Sequence, residues 1–149
     1  MIDIKEFRIG NIIQYNQLLV KIDTLSSNGD FGCIRIENPD PERLYLKTGM
    51  QPVNISEEWL MKLGFEKTAF YCSKTNICYS IYDQNFIEFY IEKNKYNEYW
   101  DCYKLMHEDS MPLNSFAYIH SIQNLFFILT DKDLETKLKE FKDTDEIGK

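Results

Sequence analysis

The sequence predicts an α+β protein: a small N-terminal SH3-like β-barrel or sheet, a short helix, and an antiparallel β-meander packed on a C-terminal helix. Three observations carry this. Residues 7–55 hold short strand-like runs separated by turn residues. The apolar period lengthens to about 3.6 at 56–65 and again at 116–129. Between those two helices lie strand-length segments rich in Tyr and Phe. The organisation expected is a barrel-like subdomain at 1–55, an α+β subdomain at 56–142 and a frayed tail at 143–149, the first two forming one compact unit.

Taken in order, the first strands are Phe7 to Tyr15, Leu18 to Ile22 and Phe31 to Ile36. The second and third are joined by Ser26-Ser27-Asn28-Gly29-Asp30, whose Asn-Gly suits the positive φ of a tight hairpin. Asn38-Pro39-Asp40-Pro41 breaks the chain, since proline brings no N–H to a ladder. Leu44 to Lys47 and Met50 to Ile55 return as short strands. In Ser56-Glu57-Glu58-Trp59-Leu60-Met61-Lys62-Leu63-Gly64-Phe65, Ser56 caps the first turn, the two glutamates complement its partial positive charge, and Gly64 ends the helix in the left-handed region. Phe70 to Cys72, Ile77 to Tyr82 and Phe86 to Ile91 form the meander, with turns at 74–76 and 83–85, and Tyr99 to Leu105 adds a fourth strand after the polar loop Lys93 to Glu98. His107 to Ser110 reads as a polar loop. Thr130-Asp131-Lys132-Asp133 caps a further helix carrying Leu134, Leu138 and Phe141.

The helix from Phe116 to Leu129 raises the question of a site. Ile119, Ile122, Phe126 and Leu129, with Tyr118 and Leu125, form a broad apolar stripe. His120, Gln123 and Phe127 gather on the other side, with two readings: a polar border facing solvent, or a strip that binds a partner. Tyr96, Tyr99, Trp100 and Tyr103 crowd eight residues beside a polar loop. They either complete an aromatic core or mark a partner surface, the use to which interfaces put large, stiff, amphipathic rings.

A chain of 149 residues buries roughly 70% of its unfolded surface and builds a core without disulfides. The net charge of −7 deepens toward the C-terminus, with seven acids against six bases in 1–55, eight against six in 56–107 and nine against five in 108–149. Three arginines in all, Arg8, Arg35 and Arg43, disfavour direct binding to duplex DNA, where cations displace counterions. A protein partner with a basic surface fits better. Cys33, Cys72, Cys78 and Cys102 contain no C-x-x-C pair, so zinc spacing is absent, and the expectation is ordinary reduced thiols. The acid-bearing start without an apolar run predicts neither a signal peptide nor a membrane span, hence a cytoplasmic protein. No metal, cofactor or membrane partner is expected.

Catalytic patterns are missing too: no nucleophile elbow, no phosphate-binding loop, and only two histidines, His107 and His120, without a second ligand at metal spacing. Glu57-Glu58 point about 100° apart on a helix and serve its start better than a carboxylate dyad. An enzyme built on His120 and Gln123 is the weakest reading, since the imidazole would need a cleft and an activating partner.

Arg8-Ile9-Gly10-Asn11, Ile55 to Phe65, and Tyr118-Ile119-His120-Ser121-Ile122-Gln123-Asn124-Leu125-Phe126-Phe127 together resemble small proteins carried by Bacteroidetes phages and mobile elements. The match spans about 8–134, with its distinguishing residues confined to those three blocks. Such relatives usually place a polar residue, often Gln, where Ser121 stands, and tend to stop near Leu134, so the charged extension departs from them. The resemblance carries no catalytic residue across. It implies a setting, the cytoplasm of a bacterial host cell and phage–host conflict. The function expected is therefore a non-enzymatic protein that binds and inhibits a host defence protein, a nucleic-acid-guided (CRISPR-type) nuclease, as anti-CRISPR proteins do. The alternative is a small nucleic-acid-binding or replication accessory module using Arg8, Lys21, Arg35 and Lys47 on the barrel.

Overall fold

A computed structural model describes residues 6–36, 43–68, 78–83, 87–106 and 109–134. The α+β architecture expected is the one observed: a curled N-terminal sheet, a second antiparallel sheet, and a helix between them. The first sheet comprises β1 (Ile12–Tyr15), β2 (Leu18–Leu25), β3 (Phe31–Arg35), β4 (Leu44–Leu46) and β5 (Met50–Gln51), in the order β4-β3-β2-β1-β5. A meander whose last strand returns beside its first has the order of an SH3-like half-barrel. Asn16 and Gln17, both at positive φ, make the tight β1–β2 turn that matches strand twist. Gly29 at φ 89° serves the β2–β3 hairpin, where Asn-Gly predicted it. A bulge between Ile22 and Thr24 helps curl the sheet. Gly32 lies against it, and a Cβ there would collide with the Thr24 hydroxyl.

The first expected strand is shorter than its apolar run, because Arg8 to Asn11 form a turn with Gly10 at φ 98°. Ile12 and Ile13 then face opposite ways. Ile13 joins Val20, Ile22, Phe31 and Leu46 inside the curled sheet. Ile12 joins the larger core, with Trp59, Leu60, Ile91 and Ile119. β1 is thus buried on both faces, which explains two consecutive isoleucines where one-sided burial needs alternation.

Helix α1 (Glu57–Lys62) keeps every terminal signal read from the sequence. Ser56 Oγ accepts the Trp59 N–H at 3.2 Å. Phe65 N–H donates to Leu60 O and Gly64 N–H to Met61 O, the paired bonds of a Schellman end, with Gly64 at φ 97°. Burial of Trp59, Leu60 and Leu63 fixes this six-residue helix, which is too short to persist alone.

The second sheet runs β10-β9-β8-β7-β6, all antiparallel, from β6 (Glu66–Thr68), β7 (Cys78–Asp83), β8 (Ile87–Lys93), β9 (Trp100–Met106) and β10 (Asp109–Phe116). The strands expected at 77–82, 86–91 and 99–105 are present, whereas 70–72 and the 74–76 turn lie outside the described residues. Two strands differ from expectation. Glu66–Thr68 pairs with β7 directly after the helix. Asp109–Phe116 pairs with β9, starting inside the polar loop expected at 107–110. Pro112 sits in that strand because β10 is at the sheet edge, and a register shift follows between Pro112 and Asn114.

Helix α2 (Ile119–Thr130) is wedged between the sheets. Phe126 meets Phe89 edge to face at 6.0 Å. Val53 to Ile55 run antiparallel to Ala117 to Ile119, joined by Ile55 N–H to Ala117 O and Ile119 N–H to Val53 O, each 2.9 Å. The exit of the first sheet is thereby bonded to the start of α2. Asp131, at φ 58°, ends the helix, and Leu134 packs into the core. The rest of the expected last helix lies outside the described residues.

Candidate functional site

The polar side of α2 is not a solvent border. His120 and Gln123 are each 1% exposed. At about 100° per residue, the His120–Gln123–Phe127 group lies roughly 120° from the apolar stripe and not diametrically opposite it. A helix held between two sheets buries both arcs. Its open side is instead centred on Ile128, 77% exposed.

Gln123 joins α2 to the first sheet. Its Oε1 accepts the Ile12 N–H at 3.0 Å, and its Nε2 donates to Gly10 O at 3.2 Å. Asn11, fully buried, donates to Asn124 Oδ1 at 2.8 Å while its own Oδ1 accepts the Arg8 N–H. Asn124 donates in turn to Glu6 O. The Arg8 guanidinium reaches Gln123 O at 3.1 Å and Asp133 Oδ1 at 2.8 Å, and lies 4.2 Å over the Phe127 ring. Arg8 to Asn11 and Gln123 to Phe127, two of the three blocks that distinguish the sequence, are therefore one polar clamp. The third block is α1 and its caps. All three blocks serve architecture.

His120 is enclosed by Phe7, edge to face at 4.9 Å, and by Tyr118, stacked at 5.7 Å. Glu6 Oε2 lies 3.6 Å from Nε2, beyond hydrogen-bond length. Neither ring nitrogen has a hydrogen-bond partner among the described residues. Burial lowers the pKa of the ring below its ordinary value, the nearby Glu6 carboxylate opposing the shift only in part. A ring so enclosed is held neutral and out of reach of a substrate.

The four basic residues of the alternative reading do not form a strip. Arg8 belongs to the clamp, and Lys47 lies 3.8 Å from Asp30. Lys21 pairs in register with Ile34 and Arg35 with Val20, so their side chains leave opposite faces of the sheet. Arg43 is held by Asp23 at 2.9 Å.

The aromatic cluster splits. Trp100, 7% exposed, belongs to the core and meets Tyr79 edge to face. Tyr103 is half-buried and stacks on Tyr90 with centroids 4.9 Å apart. Tyr96 and Tyr99 stand out, 93% and 49% exposed, on the loop joining β8 to β9. That loop repeats Asn-x-Tyr. Asn94 Oδ1 accepts the Tyr96 N–H at 2.8 Å, and Asn97 Oδ1 the Tyr99 N–H at 2.9 Å. Asn94 N–H donates to Tyr99 O, and its Nδ2 to Asp101, closing the loop. Two consecutive side-chain turns hold the rings outward. The repeat was visible in Asn94-Lys95-Tyr96-Asn97-Glu98-Tyr99 and is the signal that marks this loop as ordered.

Beside the loop opens a cleft of about 800 Å³. Tyr99, Asn97 and Glu98 form one wall, the start of α1 with Ser56 and Glu57 another, and Trp100 and Tyr118 line it further. Asn54 and Tyr118 are cleft residues that sequence reasoning did not reach, because a bridge between distant segments places them there. The Tyr79 hydroxyl and Lys67, at 3.2 Å, hold the Glu57 carboxyl below its usual pKa. This arrangement suits recognition of a side chain or peptide: rings for contact area, amides and carboxylates for direction. Phe127 lies elsewhere, on an apolar hollow with Ile9 and Leu25.

Among the described residues no group of three or more His, Cys, Asp or Glu is placed to hold a metal. Cys33 and Cys102 are free thiols whose pKa burial pushes up to about 11 and about 12. Cys78 differs from the reduced state expected. It is disulfide-bonded. No helix among the described residues is long and apolar enough to cross a membrane. No family model, no curated protein and no solved structure matches this chain.

Proposed function

We propose that this chain is a non-enzymatic interaction protein that binds a partner with a basic surface through the Tyr96–Tyr99 loop and the adjoining cleft. In the phage setting that the sequence resemblance implies, the partner is a host defence protein, a nucleic-acid-guided nuclease. The supporting observation is Tyr96, 93% exposed on a loop fixed by two side-chain turns. An exposed aromatic ring on a preordered loop loses little entropy on binding, the condition for an interface anchor. His120 and Gln123 are committed to the interior, so of the residues singled out in the sequence it is Tyr96 and Tyr99 on this loop that present exposed rings to a partner. The charge of −7 favours a fast, salt-sensitive encounter with a basic groove.

The test is to immobilise the protein in a bacterial lysate, identify what it retains, and assay the retained nuclease for cleavage with and without the protein. Retention of a nuclease and loss of its cleavage support the reading. No nuclease retained, together with no protection of infecting phage, refutes it.

A further inference from the structure

The cleft beside Tyr99 has more chemistry than a docking tyrosine needs. Its wall carries two carboxylates, Glu57, already paired with Lys67 and the Tyr79 hydroxyl, and Glu98, against one ammonium, Lys93. Tyr99 offers a half-exposed ring at the mouth, Tyr118 a second ring, and Asn54 and Asn97 carboxamides. Glu57 keeps its charge, since its neighbours lower its pKa. An anionic ligand would meet these carboxylates, and a purely apolar one would cover the Glu98 carboxylate without giving it a partner. The wanted occupant is cationic, planar enough to lie on a tyrosine, and able to donate several hydrogen bonds in a plane. Guanidinium satisfies all three, whereas ammonium is compact and strongly hydrated.

We infer that the cleft receives an arginine side chain of a protein partner, with the guanidinium against the Tyr99 ring and paired with Glu98. This rests on the interaction reading and specifies its partner chemistry. The same packing occurs inside the chain, where the Arg8 guanidinium lies over Phe127 while bonded to Asp133.

The experiment titrates the isotope-labelled full chain with capped Gly-Arg-Gly, Gly-Lys-Gly and Gly-Gln-Gly peptides, following the Trp100 indole and the Asn97–Trp100 amides by NMR. The arginine peptide is expected to shift these signals in the millimolar range, the lysine peptide to bind more weakly, and the glutamine peptide to leave them in place. Tyr99→Leu should weaken the arginine peptide by about two- to fivefold, the scale of an exposed cation–ring contact. Tyr99→Phe should restore it, and Glu98→Gln should weaken it in low salt. Equal response to all three peptides, equal affinity for arginine and lysine, or no shift at all overturns the inference. If the peptides fail while a partner is still captured and is lost on Tyr96→Ala with Tyr99→Ala, the arginine assignment falls and the interaction reading stands.

Discussion

Replacing Gln123 by alanine removes two of the bonds that join α2 to the first sheet and the turn before it. The side chain is 1% exposed, so neither orphaned partner, the Ile12 N–H nor the Gly10 carbonyl, gains full hydration in exchange. A buried group left without its bond costs about 1–3 kcal/mol, and the space vacated beside Ile12 adds to it. Together the loss is about 3–5 kcal/mol, a large part of the roughly 5–15 kcal/mol that holds an ordinary domain together. In urea, with a slope of about 2 kcal/mol/M, the midpoint falls by roughly 2 M. Gln123→Met separates bonding from packing, because it fills a similar volume but neither donates nor accepts as an amide does. It is expected to lose most of what alanine loses. A methionine variant as stable as the parent, or an alanine variant displaced by less than about 0.5 M, would refute the clamp.

Three further outcomes are expected. Because burial lowers the folded pKa of His120 below its ordinary 6.5, the unfolded chain takes up the proton first as pH falls. The stability due to the neutral ring is full above about 6.5 and is lost as pH drops through the folded value. Urea titrations from pH 7.5 to 5 should show this decline, and His120→Phe, which keeps the edge contact to Phe7, should flatten it. Cys33 and Cys102 should resist alkylation at pH 8 until the chain unfolds, and the unfolded, unreduced protein should titrate as two thiols, rising to four on reduction. Four thiols before reduction would remove the Cys78 disulfide. Duplex DNA in filter binding from low to moderate salt should show no retention, and retention falling steeply with salt would revive a basic binding strip.

The sequence was most readable where one residue type had one physical use. Ser56 and Gly64 bound α1 because a cap oxygen and a left-handed terminus admit few alternatives. Asn28-Gly29 placed its hairpin for the same reason. β10 was hidden because its evidence is non-local: Ser110, Pro112, Asn114 and Ser115 lack strand propensity, and pairing with β9 makes the strand. β6 is three residues long and leaves almost no pattern. The polar arc of α2 was misread for a different reason. Histidine and glutamine on a helix suggest solvent when one neighbour is assumed. A second neighbour with unpaired backbone groups at Gly10 and Ile12 turns the same glutamine into an interior bridge. In the loop, counting tyrosines did not separate Trp100 and Tyr103 from Tyr96 and Tyr99. Strand alternation and the paired asparagines do.

The central claim is that binding and architecture use separate residues, the polar arc of α2 holding the sheets and the β8–β9 loop meeting the partner. The direct measurement takes the double variant Tyr96→Ala, Tyr99→Ala and compares its urea midpoint and its retention of the purified partner with those of the parent chain. The account predicts stability within about 0.5 kcal/mol of the parent, as for exposed positions, and retention lost. Retention undiminished in a folded double variant would contradict it.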